Sequence, residues 1–169
     1  MDYQIFLAIN SLAGKNQVLD FLGIFFGVWL IYLFGLFVFL MLFERRYTKF
    51  AILALISSVV SRLLIVELIK HLVNRPRPYE VLSVHQLLPD SERGLSFSSG
   101  HAVILFSIAF SFYGTKWFYP LLILATVGSI ARVFIGVHFP LDVLGSFIIA
   151  GVCVVILRNS RLVFPKHNR

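Results

Sequence analysis

The feature that most constrains the fold is a run of residues, from Phe21 to about Phe43, that contains no charged side chain. At a rise of about 1.5 Å per residue, roughly 20 residues of helix cross a hydrocarbon layer about 30 Å thick. A run of this length and composition predicts a membrane-spanning helix. Glu44, Arg45 and Arg46 follow it directly and indicate where that helix leaves the lipid.

The composition of the whole chain also favours a membrane protein. Of its 169 residues, 59% are hydrophobic and only 14% are charged. A soluble domain of this size has too little interior to bury so much apolar surface. Four further apolar blocks follow the first, at about Phe50–Ile69, His101–Tyr113, Trp117–Val137 and Pro140–Leu157. The sequence therefore predicts an all-α, polytopic membrane helical bundle of about five to six transmembrane helices, in one domain over residues 1–169.

The residues before the first span form a short segment with roughly helical spacing of Tyr3, Phe6 and Leu7. The segment has no basic region of the kind that begins a cleaved signal peptide. We interpret residues 1–20 as an interfacial segment, with the amphipathic stretch running from Asp2 to Val18. A sixth, very short span is the alternative.

The net charge of +7 comes from basic residues that flank the apolar blocks. Cytoplasmic loops of membrane proteins carry an excess of such residues, so the loops that hold them are expected to be cytoplasmic. The polar segment 70–100 then lies in an extracytoplasmic loop. This placement of charge also argues against nucleic acid as a partner. The flanking residues are Arg45, Arg46, Lys49, Lys116, Arg158, Arg161, Lys166 and Arg169.

Three clusters of polar residues fall on the outward side. A bundle that pairs the ends of spans two, three, four and five would bring them together. The first holds Lys70 and Arg77-Pro78, the second Ser98, Ser99, Gly100 and His101, and the third Arg132, His138 and Asp142.

The clusters contain the groups that bind and neutralise a phosphoryl group. Lys70, Arg77 and Arg132 can surround its oxygens, and arginine offers a planar fork of donors. Ser99 and Gly100 lie where a helix begins, and backbone N–H groups there have no partner in the helix and can hold an anion. Glycine lets the backbone approach the ligand closely.

Two histidines supply groups for proton and phosphoryl transfer. His138 precedes Pro140, which suits the first turn of a helix, so Asp142 falls in that same turn. Its carboxylate can bind one imidazole nitrogen and fix the tautomer, which leaves the other nitrogen free to attack. His101 can then protonate the leaving oxygen as a general acid.

These clusters resemble the signature of the type 2 phosphatidic acid phosphatases, also called the lipid phosphate phosphatase superfamily. That signature reads Lys-x6-Arg-Pro, Pro-Ser-Gly-His and Ser-Arg-x5-His-x3-Asp, and its parts occur here in order from Lys70 to Asp142. The resemblance implies that His138 forms a phosphohistidine, with Asp142 as its partner and His101 as the general acid.

The same resemblance implies further roles for the clusters. It implies a lipid phosphate or diphosphate as substrate, membrane lipids around the protein, and no metal or other cofactor. The phosphate-binding positions would be Lys70, Arg77, Ser99, Gly100 and Arg132.

Two positions depart from the family pattern. Ser98 stands where proline is usual, and it could start the following helix as an N-cap. Ala131 stands where serine is usual, so one hydroxyl that could donate to phosphate is lost.

Within the family, the short chain, its opening residues and the sequence around His138 resemble bacterial undecaprenyl-diphosphate phosphatases. This implies removal of the terminal phosphate of undecaprenyl diphosphate at the bacterial plasma membrane, which recycles the lipid carrier of cell-wall synthesis. The alternatives are a phosphatidylglycerophosphate or phosphatidate phosphatase and a lipid phosphotransferase of the same superfamily. A small transporter and an inactive, lipid-binding family member are further alternatives.

Other charged residues receive structural interpretations. Arg62 and Glu67 lie inside the second apolar block, where charge is costly and is usually paired or functional. We interpret them as having a structural, interhelical role rather than as substrate contacts. Arg75 is interpreted as a residue whose charge reaches the membrane interface.

Overall fold

A computed structural model of the protein describes residues 1–88 and 94–160, and within them every regular element is a helix. Three of the helices are long and contain most of the apolar sequence. The helices are α1 (Asp2–Asn10), α2 (Gln17–Phe43, with a π-helical turn at Phe25–Trp29), α3 (Thr48–Val59, continued through a π-helical turn at Val60–Val66 and by Glu67–Val73), α4 (Pro78–Val81), α5 (Gly100–Ser111), α6 (Phe118–Phe134) and α7 (Pro140–Asn159).

The helices confirm the prediction of a polytopic membrane bundle. Three stretches are long and apolar enough to cross a membrane, namely Gln17–Phe43, Thr48–Val81 and Pro140–Asn159. Helices α5 and α6 are shorter but also apolar. The 12 residues of α5 extend about 18 Å, which is less than the roughly 30 Å of hydrocarbon that a full span covers.

Helix α5 is the centre of the bundle and contacts α3, α6 and α7. Two serine pairs join it to α3, with oxygens 3.2 Å apart between Ser57 and Ser111 and 3.0 Å apart between Ser61 and Ser107. All four serines are buried. Small side chains let helices approach closely in a membrane, and hydrogen bonds between them add to the packing. The second half of α5 is therefore held closely against α3.

The N-terminal helix is tied to the rest of the protein by Asn10, which is buried. Its side-chain amide donates to the carbonyl oxygens of His85 and Phe134, each at 2.9 Å, and its oxygen accepts from the His85 N–H at 3.0 Å. The chain passes so close here that a Cβ on Gly136 would lie 2.9 Å from the His85 oxygen. Gly136 also has φ +87°, a conformation that favours glycine. The turn that leads to His138 is thereby held between Asn10 and the backbone at His85.

The beginning of the chain differs in detail from the sequence-based expectation. The amphipathic segment was expected from Asp2 to Val18, but α1 ends at Asn10 and α2 begins at Gln17. The reason is local, because the Asn16 side chain accepts from the N–H groups of Val18 and Leu19 and caps a new helix.

The structure shows how Arg62 and Glu67 are placed. The two side chains form an ion pair within α3, and Arg62 also lies against Gly100 at the start of α5. The π-helical turn at Val60–Val66 is the physical reason for the ion pair, since a π turn places residues five apart on the same face of the helix. Helix α3 continues to Val73, so Lys70 lies in its last turn.

Candidate active site

The first turn of α7 places Asp142 in the interior of the protein, with its side chain 0% exposed. Its carboxylate accepts hydrogen bonds from the Phe139 N–H at 2.8 Å and from the Ser96 hydroxyl, and it pairs with Arg75 at 2.8 Å. Because several donors surround it, the carboxylate is well compensated for its burial.

His138 lies in the turn between α6 and α7 and is 1% exposed. Its Nδ1 atom is 3.4 Å from an oxygen of Asp142, longer than an optimal hydrogen bond. Such contacts are often long in an enzyme without substrate and shorten when substrate binds. The contact turns Nδ1 toward the carboxylate, so Nε2 is the nitrogen left for chemistry.

Two buried arginines flank this turn. Arg77 is 1% exposed and Arg132 is 2% exposed. Arg77 donates to the carbonyl oxygens of Gly94 at 2.8 Å and Val137 at 3.2 Å. Arg132 donates to the carbonyl oxygen of Gly27 at 3.0 Å, in the π-helical turn of α2. These bonds fix both guanidinium groups next to His138.

The environment of His138 keeps its ring uncharged. Burial, with a smaller contribution from the charges of Arg132 and Arg77, lowers the pKa of His138 from 6.5 to about 4. The nearby Asp142 opposes this change but does not overcome it. A neutral imidazole has a free lone pair, so the ring is in the form that a nucleophile needs at neutral pH.

The start of α5 brings the second cluster to the same region. Ser99 is the N-cap of this helix, and its hydroxyl accepts from the Ala102 N–H at 3.4 Å. The Ser146 hydroxyl of α7 donates to the Ser99 carbonyl at 3.0 Å and so joins the start of α5 to the helix of Asp142. Gly100 and the partly buried His101 form the first turn. The expectation that Ser98 could cap the helix is wrong, because the helix begins one residue later and Ser99 takes that position.

Lys70 lies beside this cluster, in a cavity of about 330 Å³. Its amine is 3.7 Å from a carboxylate oxygen of Glu67. Gly94 also lines the cavity, and its carbonyl accepts from Arg77, so the cavity adjoins the arginine cluster. The structure thus brings together members of all three sequence clusters. Their individual roles in chemistry stay predictions.

Two residues at the site, Arg75 and Ser96, were not foreseen from the sequence. Arg75 was interpreted as an interfacial residue, but it pairs with both Asp142 and Asp2. Its guanidinium carbon lies 4.1 Å from the centre of the Phe139 ring, a cation–π contact. Ser96 donates to Asp142. These residues lie far from Asp142 in sequence and belong to no spaced motif, so only the tertiary fold reveals them.

The arginines beside His138 are donors that suit an anion. Among residues 1–88 and 94–160, the structure contains no group of three or more His, Cys, Asp or Glu side chains placed to hold a metal. Cationic side chains dominate the neighbourhood of His138 instead.

Comparison with known proteins identifies the family. Residues 51–164 match the PAP2 superfamily. The chain is 33% identical over 169 residues to a protein named undecaprenyl-diphosphatase BcrC from Bacillus subtilis, covering 98% of this chain and 87% of that one. The chain belongs to the PAP2 superfamily. This PAP2 protein is therefore a membrane phosphatase, as its motifs predicted.

Solved structures agree with the PAP2 assignment. The crystal structure of Aquifex aeolicus LpxE matches with a TM-score of 0.79 and 28% identity, covering 94% of this chain and 95% of that chain. A PAP2-type phosphatidylglycerolphosphate phosphatase from Bacillus subtilis matches with a TM-score of 0.57 and 20% identity, covering 98% and 96% of the two chains. The second match shows a shared fold alone.

The burial of His138 generates a prediction about pH. We expect its ring to stay neutral from pH 8 down to about pH 5 and to take up a proton only as the pH approaches its pKa of about 4. In the unfolded chain the same ring takes up its proton near pH 6.5. Between about pH 6.5 and 4 only the unfolded chain is protonated at His138, so the free energy of unfolding falls as the pH is lowered through this range.

The measurement is NMR of protein with labelled histidine in detergent, with His138→Gln used to assign the resonance. A His138 ring that takes up its proton near pH 6.5 would contradict the burial argument.

Proposed function

We propose that this PAP2 phosphatase converts undecaprenyl diphosphate to undecaprenyl phosphate through a phosphohistidine at His138. One observation supports the proposed nucleophile above all others. His138 is buried and neutral, has Asp142 at Nδ1, and lies between the two buried arginines, Arg77 and Arg132. The identity of the lipid is supported by the name of the Bacillus subtilis relative.

In the first step, Nε2 of His138 attacks the terminal phosphorus in line with the bridging oxygen. The P–N bond forms, the P–O bond to the bridging oxygen breaks, and His101 gives that oxygen a proton. Arg77, Arg132 and Lys70 stabilise negative charge on the equatorial oxygens. Because the arginines are already fixed by backbone carbonyls, little reorganisation is needed as that charge develops.

In the second step, water hydrolyses the phosphohistidine. His101, now neutral, takes a proton from the water, and the new P–O bond forms as the P–N bond breaks. His138 returns to its neutral form with Asp142 still at Nδ1. The burial of the ring supports this return, because it disfavours a free imidazolium.

An apolar groove supports a lipid as the substrate. The groove has a volume of about 470 Å³ and is lined by residues of α1, α2 and α6 such as Ile9, Leu22 and Ile130. It reaches Ala131, which precedes Arg132 in the chain. A hydrocarbon tail in this groove would have its head group near the arginine cluster. The groove suits a prenyl tail and an acyl tail equally well. The assay described below distinguishes between these lipids.

The site is proposed to face outward at the bacterial plasma membrane. The positive-inside rule supports this, because the polar loop after α3 carries the site while the basic flanks lie in the opposite loops. A single cysteine in place of Ser83, with Cys153→Ser to remove the native thiol, should react with an impermeant thiol reagent in intact cells. Labelling that requires permeabilised cells would place the loop in the cytoplasm.

The assay for the function measures phosphate release by purified protein in detergent, in the presence of EDTA. We expect turnover of undecaprenyl diphosphate to exceed that of phosphatidate and phosphatidylglycerophosphate. We expect His138→Ala to lower kcat by at least about 1,000-fold and His101→Ala by about 100- to 10,000-fold, because they remove the nucleophile and the general acid.

His85→Ala is the matched control, since His85 is exposed and its hydrogen bonds to Asn10 use backbone atoms. It should retain at least about half of the activity. Full activity in His138→Ala would disprove the mechanism, and preferred turnover of phosphatidylglycerophosphate or phosphatidate would assign the enzyme to that alternative. Transfer of phosphate to a lipid instead of water would assign it to the phosphotransferases.

A further inference from the structure

Three charged side chains of α3 lie together beside the proposed phosphate site. Arg62 pairs with Glu67, and the same carboxylate oxygen lies 3.7 Å from the amine of Lys70. Their side chains are 32%, 43% and 13% exposed, respectively. Together they line the cavity of about 330 Å³ that adjoins Gly94. This cavity is open to solvent and is lined by charged side chains, unlike the apolar groove near Ala131.

Three charged side chains of one helix line this cavity, and the Glu67 carboxylate contacts both Arg62 and Lys70. The helix that carries them is otherwise strongly apolar. Charged groups at this depth are costly in a membrane protein and usually have a function. The Glu67 carboxylate occupies the place between Arg62 and Lys70 that a phosphate oxygen would take. Lys70 is one of the proposed phosphate-binding residues, so the cavity is continuous with the site.

Arg62 also contacts the start of α5. A Cβ on Gly100 would lie 2.5 Å from Nε of Arg62 and 3.2 Å from the guanidinium carbon. The arginine therefore occupies the space next to the residue before His101. In the proposed mechanism, His101 protonates the oxygen that leaves with the lipid. Because Gly100 precedes His101 in the chain, Arg62 lies close to the residue proposed to protonate the leaving group.

The chemistry of the leaving group distinguishes two classes of substrate. When a lipid monophosphate is hydrolysed, the leaving group is an alcohol, which is uncharged once His101 has protonated it. When a lipid diphosphate is hydrolysed, the leaving group is a phosphate monoester, which keeps negative charge throughout. A guanidinium beside the leaving group stabilises the second reaction and offers nothing comparable to the first.

We propose that Arg62 is a specificity-determining residue that binds the phosphate remaining on the lipid and so favours diphosphate over monophosphate substrates. In the absence of substrate, Glu67 holds Arg62 and Lys70 in the cavity. On binding, oxygens of the diphosphate replace the Glu67 carboxylate as their partners. This inference rests on the proposed function, since it takes His138 and His101 as the reacting residues.

The test compares farnesyl diphosphate with farnesyl monophosphate, which have the same tail and differ in the leaving group. We expect Arg62→Gln to lower the ratio of the two kcat/KM values, diphosphate over monophosphate, by about 10- to 100-fold, the range expected when a charged hydrogen-bond donor is lost. Arg62→Lys should restore part of the ratio. Arg158→Gln removes an arginine at the end of α7, away from the cavity, and should leave the ratio unchanged. An unchanged ratio in Arg62→Gln would overturn the proposal.

The variant Arg62→Gln leaves Glu67 without its arginine and could fold poorly. The double variant Arg62→Gln/Glu67→Gln removes both charges, so the two positions together remain neutral. The lowered ratio of kcat/KM values should persist in this double variant. A ratio that returns to the wild-type value in the double variant would mean that Arg62 acts only by neutralising Glu67, against the proposal.

A binding measurement separates failure of this inference from failure of the proposed function. Calorimetry with inorganic pyrophosphate and inorganic phosphate needs no turnover. Wild-type protein should prefer pyrophosphate, and Arg62→Gln should lose most of that preference. If the wild type hydrolyses neither farnesyl substrate, the proposed function fails, yet this binding result still decides the role of Arg62. If the wild type and Arg62→Gln prefer pyrophosphate over phosphate to the same extent, the proposed role of Arg62 is overturned.

Discussion

Asp142 is fully buried, and its carboxylate contacts Arg75, Ser96 and the turn at 138–139, which come from three separate stretches of the chain. Through Arg75 it also reaches Asp2, whose other oxygen accepts from the Leu141 N–H at 3.0 Å. A buried carboxylate without such partners would be very unfavourable. The loop after α3, the N-terminal helix and the start of α7 are therefore mutually dependent. The position of His138 depends on all of them.

The same network explains how the site combines a neutral His138 ring with fixed positive charge. Arg77 and Arg132 both donate to backbone carbonyls, which hold the two guanidinium groups in place. Their charges and the buried surroundings both favour the neutral form of His138. An incoming phosphate would bring negative charge to these arginines. Electrostatic interactions are stronger where water is excluded, so such a prearranged cluster can contribute much of the rate acceleration.

Much of the architecture could be predicted because its signals are local. Span length, charge at span ends and motif spacing gave the helical bundle, the family and the candidate residues. Pro140 at the start of a helix also predicted that Asp142 would face His138. The roles of Arg75 and Ser96 could not be predicted in this way. Arg75 and Ser96 lie 67 and 46 residues before Asp142, and no sequence periodicity connects them to it.

The π-helical turns are a second reason why sequence reasoning was incomplete. A regular α-helix does not place residues five apart on one face, so the ion pair between Arg62 and Glu67 was not predicted. The π turn in α3 makes that pair local. The π turn in α2 contains the Gly27 carbonyl that holds Arg132. Neither turn has a residue pattern that distinguishes it from the apolar helix around it.

The most direct test of the account is to trap the phosphoryl group on His138. An aryl phosphate is a suitable substrate, because its leaving group needs no proton and the first step can proceed in His101→Ala. That variant lacks the base for the second step, so phosphoprotein should accumulate. Alkaline quenching preserves phosphohistidine, and mass spectrometry of the peptides locates it. The account predicts phosphate on His138, at higher occupancy in His101→Ala than in the wild type. Phosphate on another residue, or turnover in His138→Ala at the wild-type rate, would contradict it.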